Sequence, residues 1–134
     1  MKKTYTGSCH CGKVRFEAEL DLAEGTGKCN CSICAKSRNW GMMIKPAAFC
    51  LLTGKDDLTD YQFNTNSVHH YFCSTCGVRS FAHGNIPEAG GEFYSVTLAC
   101  LDEVSDAELA AIPVRFSNGR DNDWMNTPTV TAHL

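Results

Sequence analysis

Seven cysteines in three short clusters constrain this chain more than any other feature of its sequence: Cys9-His-Cys11, Cys29-Asn-Cys31-Ser-Ile-Cys34 and Cys73-Ser-Thr-Cys76. Thiols one or two residues apart can converge on one soft cation, because the backbone between them makes a turn. Zn²⁺ takes thiolate sulfur at about 2.3 Å in tetrahedral geometry. A four-sulfur site needs two such clusters from separate parts of a chain. Two pairs and one triplet therefore give one closed site of four ligands and one three-ligand site with an open position. Closed zinc sites build structure, and open ones do chemistry.

The rest of the composition narrows the classes. A chain of 134 residues reads as one domain, large enough to bury a modest core. A net charge of -3 and a pI near 5.9 argue against a nucleic-acid binder, which normally shows a basic face. No apolar run approaches the roughly 18 residues that span a membrane. The start, Met1-Lys2-Lys3-Thr4-Tyr5, carries no apolar stretch and does not read as a secretory signal. A cytoplasmic, reducing location is expected, where metal thiolates are common and structural disulfides rare. The odd count of nine cysteines also fits poorly with a closed disulfide framework.

Strand signals dominate the chain. Lys13 to Leu20 alternates polar and apolar residues, as a strand with one buried face does. Gly7 and Gly12 bracket the first pair and are expected to permit its sharp turns. Further strands are expected over Trp40 to Lys45, within Ala47 to Gly54, over Val78 to Ala82 and over Phe93 to Ala99. Leu58 to Phe63 and His69 to Phe72 form an expected hairpin across the turn Asn64-Thr65-Asn66-Ser67. Cys34 to Arg38 reads as a helical turn. Only Asp102 to Ala111 has a helical pattern, with Ser105 and Glu108 at the spacing of a capping box. The tail from Asn118 to Leu134 is polar and turn-rich. The expected fold is mainly β: one layer-packed domain over residues 1–134, with a short helix in its C-terminal half.

The pairs Cys9/Cys11 and Cys73/Cys76 are expected to share one zinc and to pin the start of the chain to its middle. Four buried free cysteines are the bland alternative. The triplet Cys29, Cys31 and Cys34 can cap one face of a second zinc and leave its fourth position to a substrate thiol, which would lose its proton there. A fourth ligand from Cys50, Cys100 or a histidine would close that site instead, and a Cys31–Cys34 disulfide would make it a redox switch. Cys50 and Cys100 read as small hydrophobes. His10 is expected to point away from the metal, and His69 and His70 to face opposite sides of a strand. Lys36 and Arg38 beside the triplet are either carboxylate-binding or solvated.

Three linked motifs carry a resemblance: Gly7-Ser8-Cys9-His10-Cys11-Gly12-Lys13-Val14-Arg15-Phe16, Cys29-Asn30-Cys31-Ser32-Ile33-Cys34 and His70-Tyr71-Phe72-Cys73-Ser74-Thr75-Cys76-Gly77. Over roughly residues 4 to 120 the chain resembles the glutathione-dependent formaldehyde-activating enzyme family, which also includes centromere protein V. The resemblance implies the mixed β zinc fold of the Rab-exchange chaperone and the zinc-binding methionine sulfoxide reductases. It also implies a structural zinc on Cys9, Cys11, Cys73 and Cys76 and a catalytic zinc on Cys29, Cys31 and Cys34. The activity implied is the joining of glutathione and formaldehyde into S-hydroxymethylglutathione, a carbon–sulfur lyase reaction. The expected partners are thus a small thiol and a small electrophile, with no nucleic acid and no membrane. Arg79 is the one candidate carboxylate clamp after Cys76, and His70 or His83 could act as general acid. The alternatives are a non-catalytic zinc module for protein interaction and a thiol or metal sensor.

Overall fold

The computed structural model describes residues 1–134, and its ten strands fall into two sheets. The smaller has the order β1 (Lys3–Ser8), β2 (Arg15–Leu20), β5 (Phe49–Thr53), all antiparallel. The larger runs β10 (Val114–Ser117), β3 (Thr26–Cys29), β4 (Trp40–Ile44), β9 (Gly91–Thr97), β8 (Phe81–Ile86), β7 (Val68–Cys73), β6 (Leu58–Tyr61). Its neighbours are antiparallel except β10 and β3, which run parallel. Two short helices complete the fold, α1 (Ser32–Ser37) and α2 (Asp106–Ala111). No helix is long and apolar enough to cross a membrane.

The alternation read in β2 is real. Phe16, Ala18 and Leu20 are buried against Met42, Val96, Leu98, Leu101 and Ile112, while Arg15 and Glu19 face out. Each fully buried large apolar side chain contributes about 1.5–3 kcal/mol, so this seam holds the two sheets together. Ser105 caps α2 as its sequence predicts: it accepts from the Glu108 N–H at 3.1 Å and donates to the Glu108 carboxylate at 3.3 Å. The 58–72 hairpin forms as expected, and Asn64 and Asn66 take the left-handed conformation in its turn.

Four expectations need correction. The strand placed at Val78 to Ala82 begins only at Phe81 and extends to Ile86, and the Val78 carbonyl instead closes the second cysteine turn by accepting the Cys73 N–H. Gly7 lies inside β1 and not in a turn; the space a Cβ would need there is filled by the Phe16 ring. Strands β1, β3 and β10 carry no local signal strong enough to be read, and β3 and β10 are held by pairing with each other across the chain. Cys50, expected to pack as a small hydrophobe, is exposed on the edge strand β5, whereas Cys100 is partly buried as read.

Candidate functional site

The two cysteine pairs sit on matching turns. Cys9 follows β1, and its N–H donates to the Val14 carbonyl at 3.0 Å; Cys73 ends β7, and its N–H donates to Val78 at the same distance. Each turn is completed by a glycine at positive φ, Gly12 at 84° and Gly77 at 77°. Neither has any atom near its missing Cβ, so backbone conformation alone demands glycine there. Lys13 Nζ reaches across to Thr75 Oγ1 at 3.1 Å and ties the turns together.

The four sulfurs converge. Cys9 Sγ lies 3.7 Å from Cys11 Sγ, and Cys11 Sγ lies 3.6 Å from Cys73 Sγ. A tetrahedral zinc with sulfur at 2.3 Å would set its ligands roughly 3.8 Å apart. All four ligand atoms, including Cys76, lie within 4.8 Å of one another. The Val14 N–H donates to Cys9 Sγ at 3.3 Å, an interaction that stabilises a thiolate. The donor set and its spacing fit zinc. His10 is exposed between the ligands, as expected.

The triplet is assembled differently. Cys29 ends β3, Cys31 is the residue that opens α1, and Cys34 lies within the helix. Their sulfurs also lie within 4.8 Å of one another, and no fourth Cys, His, Asp or Glu joins the group. Neither Cys50 nor Cys100 nor any histidine therefore closes this site. Three thiols so close cannot ionise together unless a cation shares the charge. Hydrogen bonds from Cys29 and Cys34 hold the Cys31 thiol far below its ordinary range, and the same contacts with Cys29 and Cys31, with burial, push Cys34 far up.

Cys31 opens onto a cleft of about 860 Å³, whose other walls include Lys36, Phe63, His70, Arg120 and Trp124. A further cavity of about 510 Å³ between β3, β4 and the tail contains none of the thiols. His70 is thus brought to the triplet's cleft. His69 and His83 face the other side of the sheet, paired with Asp60 and Glu92 at 2.7 Å each. Arg79, three residues after Cys76, contacts His70 Nδ1 at 2.9 Å and Ser37 Oγ at 3.4 Å. It therefore links one cysteine site to the other. Lys36 lines the cleft, whereas Arg38 is an exposed left-handed residue ending α1.

The tail supplies a wall that sequence reasoning missed. Asn30, buried between Cys29 and Cys31, donates through its amide to Asn118 Oδ1 at 3.0 Å and accepts the Arg120 N–H at 3.0 Å. These bonds press Gly119 onto the triplet, so close that a Cβ there would lie 2.8 Å from Cys29 Sγ and 2.5 Å from the Trp124 ring. The only local hint was an asparagine between two ligand cysteines, and nothing in sequence says what it would bind.

A mainly β domain with one four-thiol cluster and one open three-thiol cluster facing a cleft defines a protein whose grouped thiols could hold metal ions. Residues 4–115 match the family described as glutathione-dependent formaldehyde-activating enzyme, and the chain belongs to that family. A Halomonas elongata protein carrying the provisional name of glutathione-dependent formaldehyde-activating enzyme is 32% identical over 78 residues, 52% of this chain and 50% of that protein. The chain thus spans about half the length of that curated relative. A Rhodobacter sphaeroides protein of known crystal structure is 31% identical, with a TM-score of 0.70 over 82% of this chain and 99% of its own. The family match stops short of Gly119, Arg120 and Trp124, so the tail wall of the cleft lies outside it.

Proposed function

We propose that the protein is a zinc-dependent enzyme of the carbon–sulfur lyase type. It forms or breaks the adduct between a small thiol, glutathione among them, and a small carbonyl compound such as formaldehyde. The observation that carries this reading is the three-thiol cluster without a fourth side-chain donor, opening through Cys31 onto a cleft. Zinc held by Cys29, Cys31 and Cys34 would supply a Lewis acid that lowers the pKa of an incoming thiol at neutral pH. Cys9, Cys11, Cys73 and Cys76 would hold a second, structural zinc. Lys36 and Arg120 offer cations at the cleft for the carboxylates of a peptide-like thiol, and Phe63 and Trp124 offer apolar walls. In the reaction a sulfur–carbon bond forms, the carbonyl π bond breaks, and the proton of the thiol ends on the former carbonyl oxygen. Such chemistry needs reduced thiols, so a reducing, cytoplasmic setting belongs to the proposal.

The test measures exchange between glutathione, ¹³C-formaldehyde and their adduct by NMR, with zinc-loaded protein and with Cys31→Ser. Wild type should exceed the rate in buffer, and Cys31→Ser should return it to the buffer rate while keeping its fold. A wild type with no effect on exchange, for glutathione and for other small thiols, refutes the reading.

A further inference from the structure

Arg79 holds a positive charge in an unusual place. Its guanidinium is more than half buried, and no Asp or Glu side chain pairs with it. Its short contact, 2.9 Å, is to Nδ1 of His70. A guanidinium only donates hydrogen bonds and cannot accept one. Nδ1 must therefore be the acceptor, carrying no proton, and the neutral imidazole keeps its one proton on Nε2.

The ring is also fixed in orientation. Phe63 stacks on it with centroids 5.4 Å apart at 25°, and Tyr61 lies against it at 6.4 Å. With Nδ1 taken by Arg79, Nε2–H has no partner within the protein, and His70 and Cys31 line the same cleft. Histidine on either side offers no substitute: His69 belongs to the opposite face of β7, and His83 is held by Glu92. Ser37 completes the support from the end of α1.

We propose that the His70 Nε2–H group is the hydrogen-bond donor to the carbonyl oxygen of the electrophile, and that Arg79 is the positioning residue that fixes its tautomer. The role rests on the thiol–carbonyl reading above. As the sulfur–carbon bond forms, the carbonyl π electrons move onto oxygen, and the donor stabilises that developing charge. The proton lost by the thiol then completes the hydroxyl group. In the reverse direction the same N–H stabilises the alkoxide as the sulfur–carbon bond breaks. Removing one such preorganised donor typically lowers turnover by on the order of 100-fold or more.

The experiment joins a tautomer measurement to kinetics, on zinc-loaded protein. ¹⁵N NMR of the imidazole nitrogens should show His70 protonated on Nε2 in wild type and a mixture of tautomers in Arg79→Gln. In the exchange assay, His70→Ala should lose on the order of 100-fold in kcat with both metals retained. His70→Gln should stay within about tenfold of wild type, because its amide N–H reaches nearly the Nε2 position; the shorter His70→Asn should behave like His70→Ala. Should His70→Ala fail to fold, the Gln and Asn pair decides the matter. An Nδ1-protonated wild type, or His70→Ala and His70→Asn with undiminished kcat, overturns the donor role alone. A wild type that does not accelerate exchange overturns the functional reading, and the donor role falls with it.

Discussion

Gly119→Ala tests how tightly the tail governs the three-thiol cluster. The added methyl would sit 2.5 and 2.7 Å from two carbons of the Trp124 ring and 2.8 Å from Cys29 Sγ. Ordinary contact is about 3.5–4.0 Å, so about 1 Å of space has to be found on each side. Trp124 is 52% exposed and can swing outward only by giving up the bond its Nε1–H donates to Asn122 Oδ1 at 2.7 Å. The loop itself cannot simply retreat. Asn118 is bonded to Asn126 through its N–H at 2.9 Å, and Asn30 holds both Asn118 and Arg120. Part of the displacement therefore falls on Cys29 Sγ. Metal–ligand distances stay within about 0.2 Å of their usual values, so a displaced sulfur weakens the site. The fold should lose about 1–2 kcal/mol, the lower range for an overpacked site. Affinity for the metal at the triplet should fall about 10- to 100-fold, as for changes just outside a ligand set. Chelator competition resolved into two phases reads the two metals separately, and a thermal melt reads the fold. Unchanged affinity in the weaker phase, or loss of both metals together with unfolding, would refute the reasoning.

Two further outcomes follow from the same structure. Cys73→Ser should leave the protein unfolded or insoluble, since a structural zinc carries on the order of 10 kcal/mol of apparent folding free energy and whole domains have only about 5–15 kcal/mol to lose; a mutant that binds metal and melts like wild type would rule out the four-cysteine site. The His70 pKa should lie below the ordinary 6.5, first through burial and then through the Arg79 charge. The native state then binds fewer protons than the unfolded one, so His70's contribution to stability is complete above pH about 6.5 and is lost as pH falls toward its lowered native pKa; an NMR titration giving a value at or above 6.5 would contradict this.

The cysteine sites were legible because their information is local. Cys9-x-Cys11 and Cys73-x-x-Cys76, each with a following glycine, specify turns that close on themselves whatever surrounds them. The β2 alternation and the Ser105 cap are equally local. Strand β3 has only four residues, Thr26-Gly27-Lys28-Cys29, and a glycine in so short a run removes any pattern. It becomes a strand because Val114–Ser117 pairs beside it in parallel, 88 residues away in the register Phe116↔Lys28 and Ser117↔Cys29.

That one parallel pairing separates what each level determined. The sequence by itself determined that seven thiols would gather as four and three, since ligand spacing and turn chemistry need only a few neighbouring residues. It also determined a mainly β chain, through period-two alternation. Only the tertiary structure decided what the three-thiol cluster faces. Parallel pairing of β10 with β3 delivers Gly119, Arg120 and Trp124 to Cys29, and the β6–β7 hairpin delivers His70 and Phe63 to the same cleft. Arg79 reaches His70 because the turn around Cys73 and Cys76 reverses the chain before β8 begins. Such contacts depend on strand order and register, which are selected by burial of the whole core and leave no mark on the residues nearby.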